Sequence, residues 1–313
     1  MKKIVMVLTA LLLFSGCSPN AVIPIEGIYP IKLKTLTIFD FNKELQINYN
    51  AAELTDSKPD CLTVDFDYTK LNDYKFGSFS MGNNEKKVWF VMGKDQQGYW
   101  SDFYIDQNLD YHLTEKEKIK CTMNEGTYKD MKTLETITFV PVPIMVSYKG
   151  NDHEYQKKLY FALNTIQFVK NKKIDTLVRA ADYSFLSGVF KVRNGIAEKL
   201  MEFRIIDFNG NGCFNDYGKD LLLVDVNGDG VFKKMPQLIE YFDATGPDNL
   251  KKQLRLVILP CPDKIAVTES SKEIDFTQLE PQSDKTPDPD SNKISVPESN
   301  KSSAPAAGKD SQK

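Results

Sequence analysis

The feature that most limits what this chain can fold into is a succession of short alternating segments with no sustained helical period. Lys32-Leu33-Lys34-Thr35-Leu36-Thr37-Ile38 alternates apolar and polar residues and includes β-branched Thr and Ile, the signal of a half-buried strand. Cys61-Leu62-Thr63-Val64-Asp65-Phe66-Asp67-Tyr68 repeats it. Further strand-like runs occupy 88–92, 99–105, 137–140, 158–163, 187–192, 199–206, 220–224 and 254–259. Gly93 to Gly98 separates two of them as a Gly-bounded hairpin loop. Pro141 and Pro143 confine the run before them to an edge or end it. A mainly β protein follows, with short helices and two β-rich, sandwich-like domains.

The ends read differently. Met1-Lys2-Lys3 is a positive start, and Ile4 to Phe14 is apolar but far shorter than the ~20 residues a spanning helix needs. Phe14-Ser15-Gly16-Cys17 then resembles the bacterial lipoprotein lipobox, although that family usually carries Leu where Phe14 stands. The resemblance implies cleavage after Gly16 and acylation of Cys17, so that the chain is exported and held on the membrane through lipid. Ser18, rather than Asp, follows the cysteine, which by the usual sorting rule favours an outer membrane where the cell has one. From Thr268 onward Pro, Asp, Ser and Lys replace apolar residues, and such a segment cannot offset its ordering entropy by burial. The expected division is therefore a signal peptide at 1–16, β-rich domains at 17–150 and 151–267, and a disordered tail at 268–313. The inner boundary is set by the Gly, Asn and Asp cluster at Lys149-Gly150-Asn151-Asp152.

Charge removes one class of function. Forty Lys and Arg against 43 Asp and Glu leave a net charge of −3, so nothing supplies the basic footprint that neutralises phosphates, and nucleic acid is not an expected partner. Beyond Cys17 four cysteines remain. Export permits disulfides, and proximity along the chain suggests Cys61–Cys121 and Cys213–Cys261, with four free thiols as the alternative. No Cys-x-x-Cys spacing is present.

Three connections carry closely spaced oxygen-bearing side chains. The first runs from Asp106 to Glu117, with Asp106, Asn108 and Asp110 at alternate positions. The second is Asp207-Phe208-Asn209-Gly210-Asn211-Gly212-Cys213, and the third is Asp225-Val226-Asn227-Gly228-Asp229-Gly230-Val231. Alternate residues of a tightly curled loop can all point inward, and calcium is a hard cation wanting six to eight oxygens at roughly 2.3–2.6 Å. The first loop resembles the EF-hand calcium loop, and the tandem pair resembles the loops of dockerins and thrombospondin type 3 repeats.

That resemblance implies calcium, held by side chains at loop positions 1, 3 and 5, a carbonyl at 7 and closing oxygens further on. In the first loop the ligands would be Asp106, Asn108, Asp110, the carbonyl of His112, Thr114 and Glu117. In the second they would be Asp207, Asn209, Asn211 and the carbonyl of Cys213, and in the third Asp225, Asn227, Asp229 and the carbonyl of Val231. Two departures stand out. Tyr111 occupies position 6 of the first loop, where Gly eases the sharp turn. The other two loops have Gly218 and Pro236 where a closing acid belongs, so Asp216 and Asp220 become the candidates for that role. All three loops are entered from strands rather than helices. The competing reading is tight β-turns, since Asn-Gly and Asp-Gly are turn residues. Exported calcium modules bind at about 10⁻⁴–10⁻³ M, so the expected ion is structural.

The case for an enzyme is thin. The two histidines, His112 and His153, have no GxSxG elbow nearby, and no P-loop, GxGxxG or HExxH is present. Trp89, Tyr99 and Trp100 could stack on a sugar, although such residues are more often sheet core. The expected function is a lipid-anchored envelope protein with structural calcium, acting as an interaction module with a protein or carbohydrate partner. The alternative is an envelope hydrolase or sugar-binding lipoprotein acting on carbohydrate or peptidoglycan.

Overall fold

Strands dominate because each alternating segment finds a neighbour to take its N–H and C=O groups. The computed structural model describes residues 23–36, 49–128, 131–138, 140–170, 173–194, 197–225, 228–230, 232–234, 237–245 and 251–281. The lipobox-like segment 14–17 with Cys17, as well as Ser18, Asn227 and Val231, lies outside the described residues. Among the described residues three larger antiparallel sheets account for nearly all the strands, and the helical residues are three single 3₁₀ turns. The mainly β reading holds.

The largest sheet is nucleated by Ser184–Asn194, which pairs with Ala197–Ile206 on one side and Gly27–Thr35 on the other. Leu221–Val224 extends it beyond Ala197–Ile206, while Lys264–Glu269, Lys251–Val257 and Tyr241–Thr245 extend the opposite side. A second sheet is the meander Asn72–Ser80, Lys87–Lys94 and Trp100–Ile105, flanked by Glu53–Thr55 and Lys118–Ile119. The third is organised by one long strand, Glu154–Lys170. On one edge its first half takes Val142–Lys149 and its second half takes Met131–Thr138, while Lys173–Asp182 runs along its other edge. Pro143 is tolerated because Val142–Lys149 pairs only with this long strand.

One apolar core draws on all three sheets. Phe79, Phe90 and Trp100 from the meander meet Ile144, Leu159 and Phe161 of the third sheet and Leu186, Phe203 and Ile205 of the largest. Each such side chain contributes roughly 1.5–3 kcal/mol when taken from water. The boundary expected at 149–152 falls inside this assembly. Gly150 N–H donates to His153 O at 2.8 Å, and Tyr148 stacks on Tyr155 across the hairpin, centroids 5.2 Å apart. The Gly-Asn-Asp cluster is a turn between paired strands, because turns and linkers draw on the same residues.

The expected tail also begins too early. Thr268 and Glu269 belong to a strand, and Ile274, Phe276 and Leu279 pack on Val257 and Ala266. Residues 268–281 are therefore part of the fold, and the rest of the expected tail lies outside the described residues. All four described cysteines are free: Cys61 is exposed, Cys121 half-buried, and Cys213 and Cys261 buried. The suggested Cys61–Cys121 bridge fails because Cys121 opens a strand opposite Thr138 while Cys61 sits in the turn before Thr63–Val64. Cys213 and Cys261 are neighbours, brought alongside by Phe214 N–H donating to Pro260 O at 2.7 Å, and are unbonded. Among the described residues no helix is long and apolar enough to cross a membrane.

Candidate functional site

The three acidic loops leave the ends of Trp100–Ile105, Ala197–Ile206 and Leu221–Val224. They share one backbone shape. Positions 4 and 6 are left-handed in each: Leu109 and Tyr111 with φ of 60° and 60°, Gly210 and Gly212 with 69° and 77°, Gly228 and Gly230 with 74° and 79°. Glycine takes that conformation freely, whereas a side chain there costs about 1–2 kcal/mol. Tyr111 thus adopts the turn that its sequence position opposes.

The first residue of each loop reaches inward to collect amide hydrogens. Asp106 Oδ1 accepts from Asp110 N–H and Oδ2 from Tyr111 N–H, at 3.2 and 3.0 Å. Asp207 Oδ1 accepts from Asn209 and Gly210 N–H, and Oδ2 from Gly212 N–H at 2.6 Å. Asp225 accepts from Gly228, Asp229 and Gly230 N–H, between 2.7 and 3.2 Å. Positions 3 and 5 repeat a second motif. Asn108 Oδ1 accepts from Asp110 N–H and Asp110 Oδ1 from His112 N–H. In the same register Asn209 Oδ1 accepts from Asn211 N–H and Asn211 Oδ1 from Cys213 N–H. Each of these oxygens spends one lone pair on the backbone and keeps another.

The closing acids differ. Glu117 turns into the first loop, Oε1 accepting from Gln107 N–H and Oε2 from Thr114 N–H and Thr114 Oγ1–H. The ladder to Thr63–Val64 engages the carbonyls of Tyr111 and Leu113, so strand alternation turns the His112 carbonyl the other way. The His112 ring lies 2.7 Å from Asp65. In the second loop Asp216 faces positions 3 and 5, its Oδ2 accepting from Asn209 Nδ2 and Asn211 Nδ2 at 2.5 and 2.8 Å. Asp220 braces the loop from outside, capping Phe208 N–H and Asp216 N–H.

Sequence reasoning missed Asp182. It ends the strand Lys173–Asp182, is fully buried, and stands beside Asp207. No motif marks it, and it simply follows Val178-Arg179-Ala180-Ala181 at the end of a strand. Burial raises these carboxyls. Asp106 is pushed up to about 6, opposed by Tyr111 N–H. Asp207 rises to about 7, opposed by the N–H groups of Gly212 and Gly210. Asp220 rises to about 8, with the charge of Asp207 adding to burial. Asp182 is held well above the carboxylate range by burial and by Asp207.

Among the described residues no three His, Cys, Asp or Glu side chains are grouped to hold a metal ion by themselves. A calcium loop also draws on amide and carbonyl oxygens; the second loop brings Asp207, Asn209, Asn211 and Asp216 together, with the Asn209 and Asn211 Nδ2 groups turned to Asp216 and their Oδ1 atoms turned to the backbone. The sugar-stacking trio does not share a face: Trp100 is buried in the main core with Nε1–H on Thr176 Oγ1, and Trp89 flanks a separate cluster. Comparison with known proteins found no matching family model, no similar curated protein and no similar solved structure.

Proposed function

We propose that this chain is an exported envelope protein, anchored through lipid on Cys17, whose Asx loops hold structural calcium and stiffen an interaction module. The observation that carries the reading is the repetition. Three loops of unrelated flanking sequence adopt left-handed residues at positions 4 and 6, and the two whose position 3 is described share the Asx ladder from 3 to 5 and from 5 to 7. A plain turn needs one such residue or two adjacent ones; it has no reason to accept Tyr111 at φ 60°.

Bound calcium would supply the positive centre that lets these buried carboxyls stay ionised. In the second loop Asp207, Asn209, Asn211 and Asp216 would hold it, and in the first Asp106, Asn108, Asp110 and Glu117. The partner of the module is proposed to be protein or carbohydrate.

The test is thermal unfolding in calcium and in chelator. A site of Kd about 10⁻⁴ M at a few millimolar calcium adds roughly 2 kcal/mol. For a domain of this size that raises Tm by about 4–8 °C per site. Magnesium, which demands a rigid octahedron and keeps its waters, should do less. Identical melting in calcium and in chelator contradicts the reading.

A further inference from the structure

Cys213 and Cys261 are both buried in the main core, 5% and 1% exposed. The backbone sets them opposite each other. Phe214 N–H donates to Pro260 O at 2.7 Å. Three residues on, Tyr217 Oη–H donates to Leu256 O at 2.8 Å, and Tyr217 Oη accepts from Ile258 N–H at 3.1 Å. Residues 214–217 therefore run antiparallel to 256–260, and Cys213 stands across from Cys261, one step beyond the Phe214–Pro260 bond. In an antiparallel pairing the step next to a hydrogen-bonded pair has its Cα atoms roughly 4.5 Å apart. A disulfide takes Cα separations of roughly 4.4–6.8 Å, so the two cysteines are within its span.

Both positions are held before any such bond forms. Asn211 O accepts from Gly82 N–H at 2.7 Å, and Gly212 O accepts from Tyr148 Oη–H at 2.5 Å. These two bonds pin the chain just ahead of Cys213. Cys261 lies between Pro260 and Pro262, whose rings fix φ on either side and keep the residue between them extended. The calcium reading of the second loop uses the Cys213 carbonyl and leaves its sulfur without a task.

We propose that Cys213 and Cys261 are joined by a disulfide when the chain folds in an oxidising compartment. The step is thiol–disulfide exchange with an oxidant that is itself a disulfide, either a small molecule or a protein. One cysteine thiolate attacks the oxidant and displaces one of its sulfurs. The second cysteine then attacks the mixed disulfide and displaces the other. One S–S bond forms and one breaks, and the two protons and two electrons of the cysteines end on the oxidant as two thiols. Burial pushes the Cys261 thiol up to about 12 and raises Cys213 further. Thiolate is scarce in the folded chain, so exchange belongs to folding, before the core closes. The bridge rests on the export part of the proposed function, because a reducing cytosol leaves thiols free, and it is independent of the ion. It would fasten the second loop, beyond Ala197–Ile206, to the connection between Lys251–Val257 and Lys264–Glu269. Those two arms of the largest sheet are otherwise separated by Ser184–Asn194 and Gly27–Thr35.

The experiment is peptide mapping of the full chain, reduced, refolded in a glutathione redox buffer, alkylated and digested with trypsin. Cleavage at Arg204, Lys219, Arg255 and Lys264 puts the two cysteines on peptides 205–219 and 256–264. The expected result is a linked species of these two peptides in most chains, lost on reduction. The oxidised chain should also melt roughly 5–15 °C above the reduced one, as a loop of this length predicts. Peptides 205–219 and 256–264 that both carry the alkyl label, or are joined to other cysteines, overturn the proposal. Chain taken from the envelope fraction of expressing cells is mapped in the same way and decides the matter should refolding fail. Free Cys213 and Cys261 in that fraction overturn the bridge and leave export intact. Chain found only in the cytosol contradicts export and leaves the refolded sample to decide the bridge.

Discussion

Gly210 shows how tightly a single residue is specified here. Its φ is 69°, and a methyl group on it would meet the Ala180 carbonyl at 2.8 Å. Gly218 has a similar φ of 79° with nothing within 4 Å of its missing Cβ. Gly218→Ala should therefore cost only the left-handed penalty, about 1 kcal/mol, whereas Gly210→Ala should cost at least about 2–3 kcal/mol. Chemical denaturation of the two variants measures the difference, and equal losses would refute the contact. The thiols offer a second check. Burial pushes Cys121 up to about 11 and Cys261 up to about 12, and raises Cys213 further, while Cys61 is exposed. A thiolate is the reactive form. Native-state labelling of the reduced chain with a maleimide should mark Cys61 and spare the other three of this set until the chain is unfolded.

Among elements, the first loop and the strands teach different lessons. Tyr111→Gly removes a left-handed side chain and should tighten calcium binding at Asp106–Glu117, read as a larger calcium-induced rise in Tm than wild type shows. The carboxyls predict how unfolding depends on pH. In chelator Asp106, Asp207 and Asp220 titrate at about 6, 7 and 8 in the folded chain, against roughly 4 when unfolded. Between those limits the folded state holds more protons on these three groups, so their contribution to stability is fully present below pH about 4 and is lost as pH rises to about 8. Saturating calcium should flatten that fall, and a chelated chain whose stability rises over this window would contradict the assignment. Apolar alternation exposed the strands at Lys87–Lys94, Trp100–Ile105 and Ala197–Ile206. It left Cys121–Tyr128 unread, because Thr122 to Thr127 are all exposed and a strand wet on both faces carries no period. The long Glu154–Lys170 strand was legible only over 158–163, since its later residues, Asn164, Thr165 and Gln167, are buried polar groups. The loops were legible by spacing, but Asp182 beside Asp207 was not, because a neighbour supplied by another sheet has no fixed sequence distance.

At the scale of the whole molecule, the described residues between 23 and 281 form one compact unit, and the last of them pack back onto it. Leu279 is buried against Val257 and Ala266, and Glu280 accepts from Asn151 N–H at 2.5 Å. Ending the chain after Val267 removes those contacts and part of a strand paired on both sides, and should cost at least about 3–5 kcal/mol. Ending it after Pro281 keeps them and serves as the control. The proposed anchor belongs to this scale too: Cys17→Ser should move the protein from the membrane to the soluble fraction of the expressing cells, and retention on the membrane would rule out the lipid link. The proposed function turns on the ion. The most direct measurement is equilibrium dialysis of the purified chain against radioactive calcium at about 1 mM, with magnesium as competitor. The account predicts at least one calcium bound per chain and little displacement by equal magnesium; a chain that retains none would contradict it.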